Sequence, residues 1–166
     1  MASKQFSDQL VALLPRLRRF ARGLAGDETA ADDLVQEACE RALACEHQFE
    51  SGTRFDSWMF RIVQTIWIDQ LRANDTRLIH ADELKRARQG ECMSFAHAIE
   101  ARVILTQIRP AIDRLPQDQR TTLTLVVVEG LSYKEAATVS GVPVGTIMSR
   151  LSRARRSLEY LNADAA

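Results

Sequence analysis

Residues 130–158 read GLSYKEAATVSGVPVGTIMSRLSRARRSL, and this stretch decides the fold. Ser132-Tyr133-Lys134-Glu135 has the form of a capping box: a serine hydroxyl accepts from the amide three residues on, and the glutamate there reaches back. A short alanine-rich helix follows and ends at Gly141, a residue that takes a left-handed terminal turn at little cost. Pro143 stands where the start of a helix tolerates a missing N–H. Beyond it Val144, Ile147, Leu151, Ala154 and Leu158 recur at alternating steps of three and four, which makes one buried stripe. Two short helices joined by a tight glycine-containing turn are a helix-turn-helix unit.

At 100° per residue, Ser149, Ser152, Arg153 and Arg156 point away from that stripe, with Arg150 and Arg155 flanking them. No acidic residue falls between 143 and 158. The second helix of such a unit lies in the major groove of DNA. There arginine pairs with guanine through two parallel bonds and serine bonds to several base edges, while flanking arginines neutralise phosphates. A solvated arginine face would have the same composition. The coincidence of cap, turn, proline and acid-free basic face favours DNA contact over that reading.

Upstream, the periodicity predicts helices throughout. The first spans about 6–24, with Leu10, Leu13, Leu14, Leu17, Phe20 and Leu24 on one face and Pro15 as a kink or a late start. Gly26-Asp27 is a turn, and Asp27 caps a second helix reaching residue 45. Its stripe is Ala31, Val35, Ala38, Cys39 and Ala42, with Asp33, Gln36, Glu37 and Glu40 opposite. After a loop at 50–53, a third helix at 57–73 carries both tryptophans, Trp58 and Trp67. Patterning then lapses, and 78–97 reads as a linker. Pro110 kinks or ends the next helix, Leu115-Pro116 is a break, and Gly130 ends the helix after it. Residues 121–128, TTLTLVVV, have strand propensity. A lone strand could not satisfy its backbone groups, so this segment too is expected to be helical.

The chain has 22 basic and 22 acidic side chains and no net charge, yet its charges are segregated. Asp27, Glu28, Asp32, Asp33, Glu37 and Glu40 fill 27–40 without a base, a face suited to a basic or polar protein surface. No apolar run is long enough for a membrane span and no secretory pattern opens the chain, so a cytoplasmic protein is expected. Cys39, Cys45 and Cys92 read as thiols; zinc held by Cys39, Cys45 and His47 is the weaker alternative, without a C-x-x-C spacing. There is no nucleotide-binding loop and no triad-like set, and His47, His80 and His97 are scattered. Neither catalysis, a cofactor, a metal nor a small-molecule substrate is expected.

At this point the chain resembles a known family. Residues 129–158 are similar to region four of extracytoplasmic-function sigma factors of bacterial RNA polymerase. AADDLVQEACERAL, residues 30–43, resembles the polymerase-binding helix of region two, and FDSWMFRIVQTIWIDQLRA, residues 55–73, the promoter-melting segment. LPRLRRFARGLAGD, residues 14–27, resembles, less specifically, the alphaproteobacterial general-stress subgroup. The resemblance implies an all-α fold of two small helical domains: region two at 1–77 and region four at 98–166, joined by the 78–97 linker. It implies that Asp32, Asp33, Gln36 and Glu37 grip the clamp of the polymerase's largest subunit. Arg54, Trp58, Arg61, Gln64, Thr65 and Ile68 would take an unstacked minus-ten base. Ser149, Arg150, Ser152, Arg153, Arg155 and Arg156 would meet the minus-thirty-five duplex, and residues 123–128 would dock on the polymerase flap. Core polymerase, promoter DNA and an anti-sigma factor are the implied partners. Thr65 where asparagine is common, Met148 where lysine or arginine is usual, and 137–140 in place of a more aliphatic run depart from the pattern. An ordinary helix-turn-helix regulator would leave the 30–43 and 55–73 helices without a role.

Overall fold

The computed structural model describes residues 3–50, 52–78 and 111–163, which contain helices and no strand. In order these are α1 (Lys4–Ala25), α2 (Glu28–Ala44), a 3-10 turn (Glu46–Gln48), α3 (Phe55–Leu78), α4 (Gln117–Leu123), a π turn (Thr124–Val128), α5 (Tyr133–Ser140) and α6 (Val144–Ala163). They fall into two compact units, the first holding α1 to α3 and the second α4, α6 and the larger part of α5. The expected linker, beyond residue 78, and Pro110 lie outside the described residues.

In the first unit each cap is local chemistry read out in space. The Ser3 hydroxyl accepts from the Phe6 amide at 3.2 Å, and the Asp27 carboxylate from the Ala30 amide at 2.9 Å. Gly26 closes α1 at φ 72°, where a side chain would be strained. Pro15 lies inside α1 and neither delays its start nor divides it, contrary to the expected late start. The face of α1 that buries Leu10, Leu13, Leu17, Phe20 and Leu24 runs past the proline unbroken, so packing outweighs the one missing backbone bond. Helix α2 contributes Ala31, Leu34, Val35, Ala38 and Ala42. Its alanines let α1 and α3 approach closely, and Leu34, fully buried, belongs to a stripe from which Cys39 is half excluded. Helix α3 adds Met59, Phe60, Val63 and Ile66, and the Phe60 ring meets Phe20 edge-on at 5.1 Å.

The α1 start, the 3-10 turn and the α3 start meet in an aromatic corner. Phe6 packs edge-on against Phe55 at 5.2 Å and Phe49 edge-on against Phe55 at 5.3 Å, while Trp58 meets Phe49 at a tilt at 5.5 Å. Glu46 closes this corner by accepting from the Ser3 amide at 2.9 and 3.2 Å, which lowers its pKa.

The second unit explains the β-branched run. Thr121, Thr122 and Thr124 turn their hydroxyls back onto the carbonyls of Gln117, Asp118 and Arg120 at 2.8, 2.8 and 3.0 Å. Each hydroxyl is satisfied inside the helix, so the run needs no sheet partner. The helix then widens: the Glu129 amide reaches the Thr124 carbonyl at 2.9 Å, a five-residue step. This brings Leu125 into the core and leaves Val127 and Val128 exposed. Leu115, Leu123, Leu151 and Ala154 form one cluster, with Ile112, Val126 and Leu158 against it.

Asp56 ties this framework to pH. Burial works to raise its pKa, but hydrogen bonds from Arg54 and Arg16, the Arg54 charge and the Ser57 amide outweigh that and hold it below its ordinary value. A depressed native pKa adds stability above the unfolded value, about 3.9, and loses it as pH falls through the native one. Asp56→Asn should therefore destabilise the chain by about 1 kcal/mol at neutral pH, after allowance for partial exposure of the arginines. In urea titrations the gap between the two proteins should close as pH drops below the carboxylate range.

Candidate nucleic-acid interface

The helix-turn-helix is assembled from α5, the turn at Gly141 and α6. Ser132 and Glu135 form the expected capping box: the Glu135 amide donates to Ser132 Oγ at 3.3 Å and the Ser132 amide to Glu135 Oε2 at 2.8 Å. Gly141 sits at φ 66°, and the Val142 amide turns back to the Ala137 carbonyl at 3.1 Å. The Pro143 carbonyl then accepts from Thr146 and Ile147 at 2.9 and 3.3 Å, starting α6.

Ile147, Leu151 and Ala154 are buried, so the orientation of α6 is fixed by its aliphatic back. Val144, expected in the same stripe, is instead 40% exposed, because the first turn of α6 lies beyond the core. Ser149, Ser152, Arg153, Arg155 and Arg156 are exposed on the other side. Arg150 does not share their surroundings. Its Nε lies 3.0 Å from Asp118 Oδ2 on α4, and its side chain is only 24% exposed. The expected flanking phosphate contact is thus already engaged by a carboxylate distant in sequence, which no local pattern could reveal. A shallow groove beside the row is lined by Tyr133, Met148, Ser152, Arg155, Arg156 and Glu159 among others.

In the first unit the four acidic-face residues lie along the solvent side of α2, each exposed except the half-buried Glu37. Asp32 meets Arg18 at 3.5 Å, Glu37 meets Arg41 at 3.4 Å and Gln70 at 3.0 Å, and Gln36 donates to Glu40 at 3.1 Å. Exposed pairs of this kind hold their side chains weakly, so a partner can replace them.

The six residues expected around a minus-ten base do not share one surface. Arg61 and Thr65 are exposed, with the Thr65 hydroxyl donated to the Arg61 carbonyl at 2.8 Å, and Ile68 is half-buried. Gln64 is buried, its Oε1 without a hydrogen-bond partner among the described residues. Arg54 reaches Asp56 with two nitrogens at 3.0 and 2.7 Å, and Trp58 is held in the aromatic corner. Arg54 and Trp58 build the loop and the helix start, and Gln64 lies buried further along α3. A recess at the corner has Phe6, Phe49 and Phe55 as walls and Gln5, Gln9 and His47 at its edge; Phe6, Gln5 and Gln9 come from α1 and were not expected there. Among the described residues no three His, Cys, Asp or Glu side chains gather as a metal site, and no helix is long and apolar enough to cross a membrane.

Residues 10–77 match the family described as Sigma-70 region 2, and residues 105–158 that described as Sigma-70, region 4. The ECF RNA polymerase sigma factor EcfG of Rhodopseudomonas palustris is 38% identical over 154 residues, which cover 93% of this chain and 83% of the relative. The RNA polymerase sigma-H factor of Pseudomonas aeruginosa is 34% identical over 143 residues, 80% of this chain and 73% of the relative. Among solved structures, the sigma factor RpoE bound to the anti-sigma factor NepR, from Bartonella quintana, has a TM-score of 0.83 at 32% identity. That match covers 97% of this chain and 98% of the other.

The Arg150–Asp118 pair gives this geometry a direct check. A double-mutant cycle with Arg150→Ala and Asp118→Ala, read by urea unfolding, should return a coupling of about 0.5–1 kcal/mol. A coupling of zero would mean that the bridge adds nothing to the stability of the unit.

Proposed function

The chain belongs to the extracytoplasmic-function sigma factors of RNA polymerase, and from that membership we propose how its two units divide promoter-directed initiation between them. It binds core polymerase and directs promoter-specific initiation of transcription. The region-four unit, residues 98–166, reads the minus-thirty-five duplex. Ser149, Ser152, Arg153 and Arg156 face the base edges and Arg155 a phosphate, while Arg150 braces α6 through Asp118.

The region-two unit, residues 1–77, docks Asp32, Asp33, Gln36 and Glu37 on the clamp of the polymerase's largest subunit. Arg61, Thr65 and Ile68, with the loop at 49–56, receive the melted minus-ten strand. Trp58 and Gln64 support that surface from beneath, and Arg54 fixes the loop through Asp56. Thr65 offers hydroxyl oxygen lone pairs, not an amide's paired donor and acceptor, and this alters base preference. The exposed valines Val127 and Val128 meet the polymerase flap. The 78–97 linker joins the units, so that each contact raises the effective concentration of the other. An anti-sigma factor regulates the chain, as the NepR complex of its Bartonella relative suggests. The protein works in the cytoplasm as an initiation factor and not an enzyme, with no cofactor.

The observation that carries this reading is the row of serine and arginine side chains displayed by a helix whose back, Ile147, Leu151 and Ala154, is locked in the core. Run-off transcription with core polymerase on a promoter library tests it. Arg153→Ala should relax selectivity at one upstream base pair, by about 1–3 kcal/mol. Equal loss on every promoter would make Arg153 a phosphate contact. Specific binding by the chain alone, with no promoter-specific transcript from the reconstituted enzyme, would favour an ordinary helix-turn-helix regulator.

A further inference from the structure

The outer surface of α6 changes character along its length. Val144, Met148, Ser152 and Arg156 are four residues apart and so form one ridge of the helix. The ridge is apolar in its first half and polar in its second. Val144 is 40% and Met148 53% exposed, and Tyr133, at the start of α5 and in the same groove as Met148, is 38% exposed. None of the three serves the core in the way Ile147 and Leu151 do. An unbranched thioether held half in water, beside Ser152 and Arg155, is not explained by folding.

In a helix-turn-helix, residues in the N-terminal part of the second helix meet the base edges. In this chain that part carries Val144 and Met148, ahead of the arginines. An apolar side chain in the major groove has one complementary base feature, the C5-methyl group of thymine. Against cytosine or guanine at the same place it would leave a polar edge stripped of water and unpaired, which is costly. A flexible side chain such as methionine can also settle on the methyl group without strain.

We propose that Met148, with Val144 beside it, is a specificity-determining residue that selects thymine by contact with its methyl group in the upstream promoter element. This rests on the region-four reading above. The apolar half of the ridge then reads one base by shape, while Ser149, Ser152, Arg153 and Arg156 read its neighbours by hydrogen bonds.

The probe is a promoter duplex selected by the reconstituted holoenzyme from a library randomised across the upstream element. In this duplex each upstream thymine is replaced in turn by deoxyuridine, which keeps every hydrogen bond and lacks only the methyl group. One position should lose about fourfold in holoenzyme affinity, the worth of one buried methyl-sized group. Met148→Ala holoenzyme should show no difference between thymine and deoxyuridine there. Met148→Leu should retain most of it, and Met148→Gln should lose it. Met148 is exposed, so these variants should fold normally, and equal unfolding midpoints confirm it. No methyl-sensitive position, or one that persists unchanged in Met148→Ala, overturns the proposal. If Arg153→Ala still relaxes upstream selectivity in the same assay, the region-four reading survives that failure. If Arg153→Ala has no effect either, both fall together.

Discussion

The packing of α6 against α4 is the constraint from which the exposed row of serine and arginine side chains follows. Leu151 and Ala154 lie in one cluster with Leu115 and Leu123, so the rotation of α6 about its own axis is fixed by side chains that have no alternative place. Burial of each leucine there stabilises the unit by about 1.5–3 kcal/mol, and any rotation large enough to hide Ser152 or Arg153 would expose those leucines. Once the back is fixed, helical geometry alone decides which residues face out. The Arg150–Asp118 bridge acts in the same direction, tying the flank of α6 to the first turn of α4. A small domain thereby presents a polar row on a rigid element rather than a loop, which lowers the entropy lost on meeting DNA.

The first unit solves a different problem with similar means. Its α2 buries one face among large side chains and leaves the other in solvent. Three alanines, Ala31, Ala38 and Ala42, bring the helix in close, and Leu34 and Val35 are buried beside them. The opposite side can then be almost wholly polar without loss of the core. The aromatic corner at Phe6, Phe49, Phe55 and Trp58 holds the loop before α3 to the start of α1. The charged pair at Arg54 and Asp56 fixes the last turn of that loop before the helix begins. The loop and the start of α3 thus form a preformed surface whose supports are rings and ion pairs from three separate stretches of chain.

The features legible in the sequence were those whose physics is local. The Ser132–Glu135 box, the Asp27 cap and the glycine turns each involve residues within a few positions of one another. The stripes of α1, α2 and α6 follow from helical period, and they fail at their edges: Leu34 is buried, Cys39 is only partly buried, and Val144 is not. The threonine-valine run is helical against its propensity because its hydroxyls find carbonyls one turn back. What stayed hidden depends on partners remote in sequence. Nothing near Arg150 indicates Asp118, and nothing near Trp58 indicates Phe6, contributed by α1. Gln64 reads as polar and therefore exposed, yet α3 is broad-faced and its neighbours Met59, Phe60 and Val63 draw that side of the helix inward.

Zero net charge, with 22 residues of each sign, becomes intelligible on the same footing. A protein that searched for DNA alone would depend on counterion release and would carry an excess of base. Here the basic residues of α6 are offset by an acidic α2, so nonspecific attraction to duplex is weak. Affinity must come from simultaneous engagement, with each unit held near its target by the other and by the polymerase. On the proposed reading, the contacts of α6 are then not needed for strength and can serve discrimination. On the proposed reading, the exposed Met148, which adds nothing to phosphate attraction, is tolerable on α6 because selection matters there more than grip.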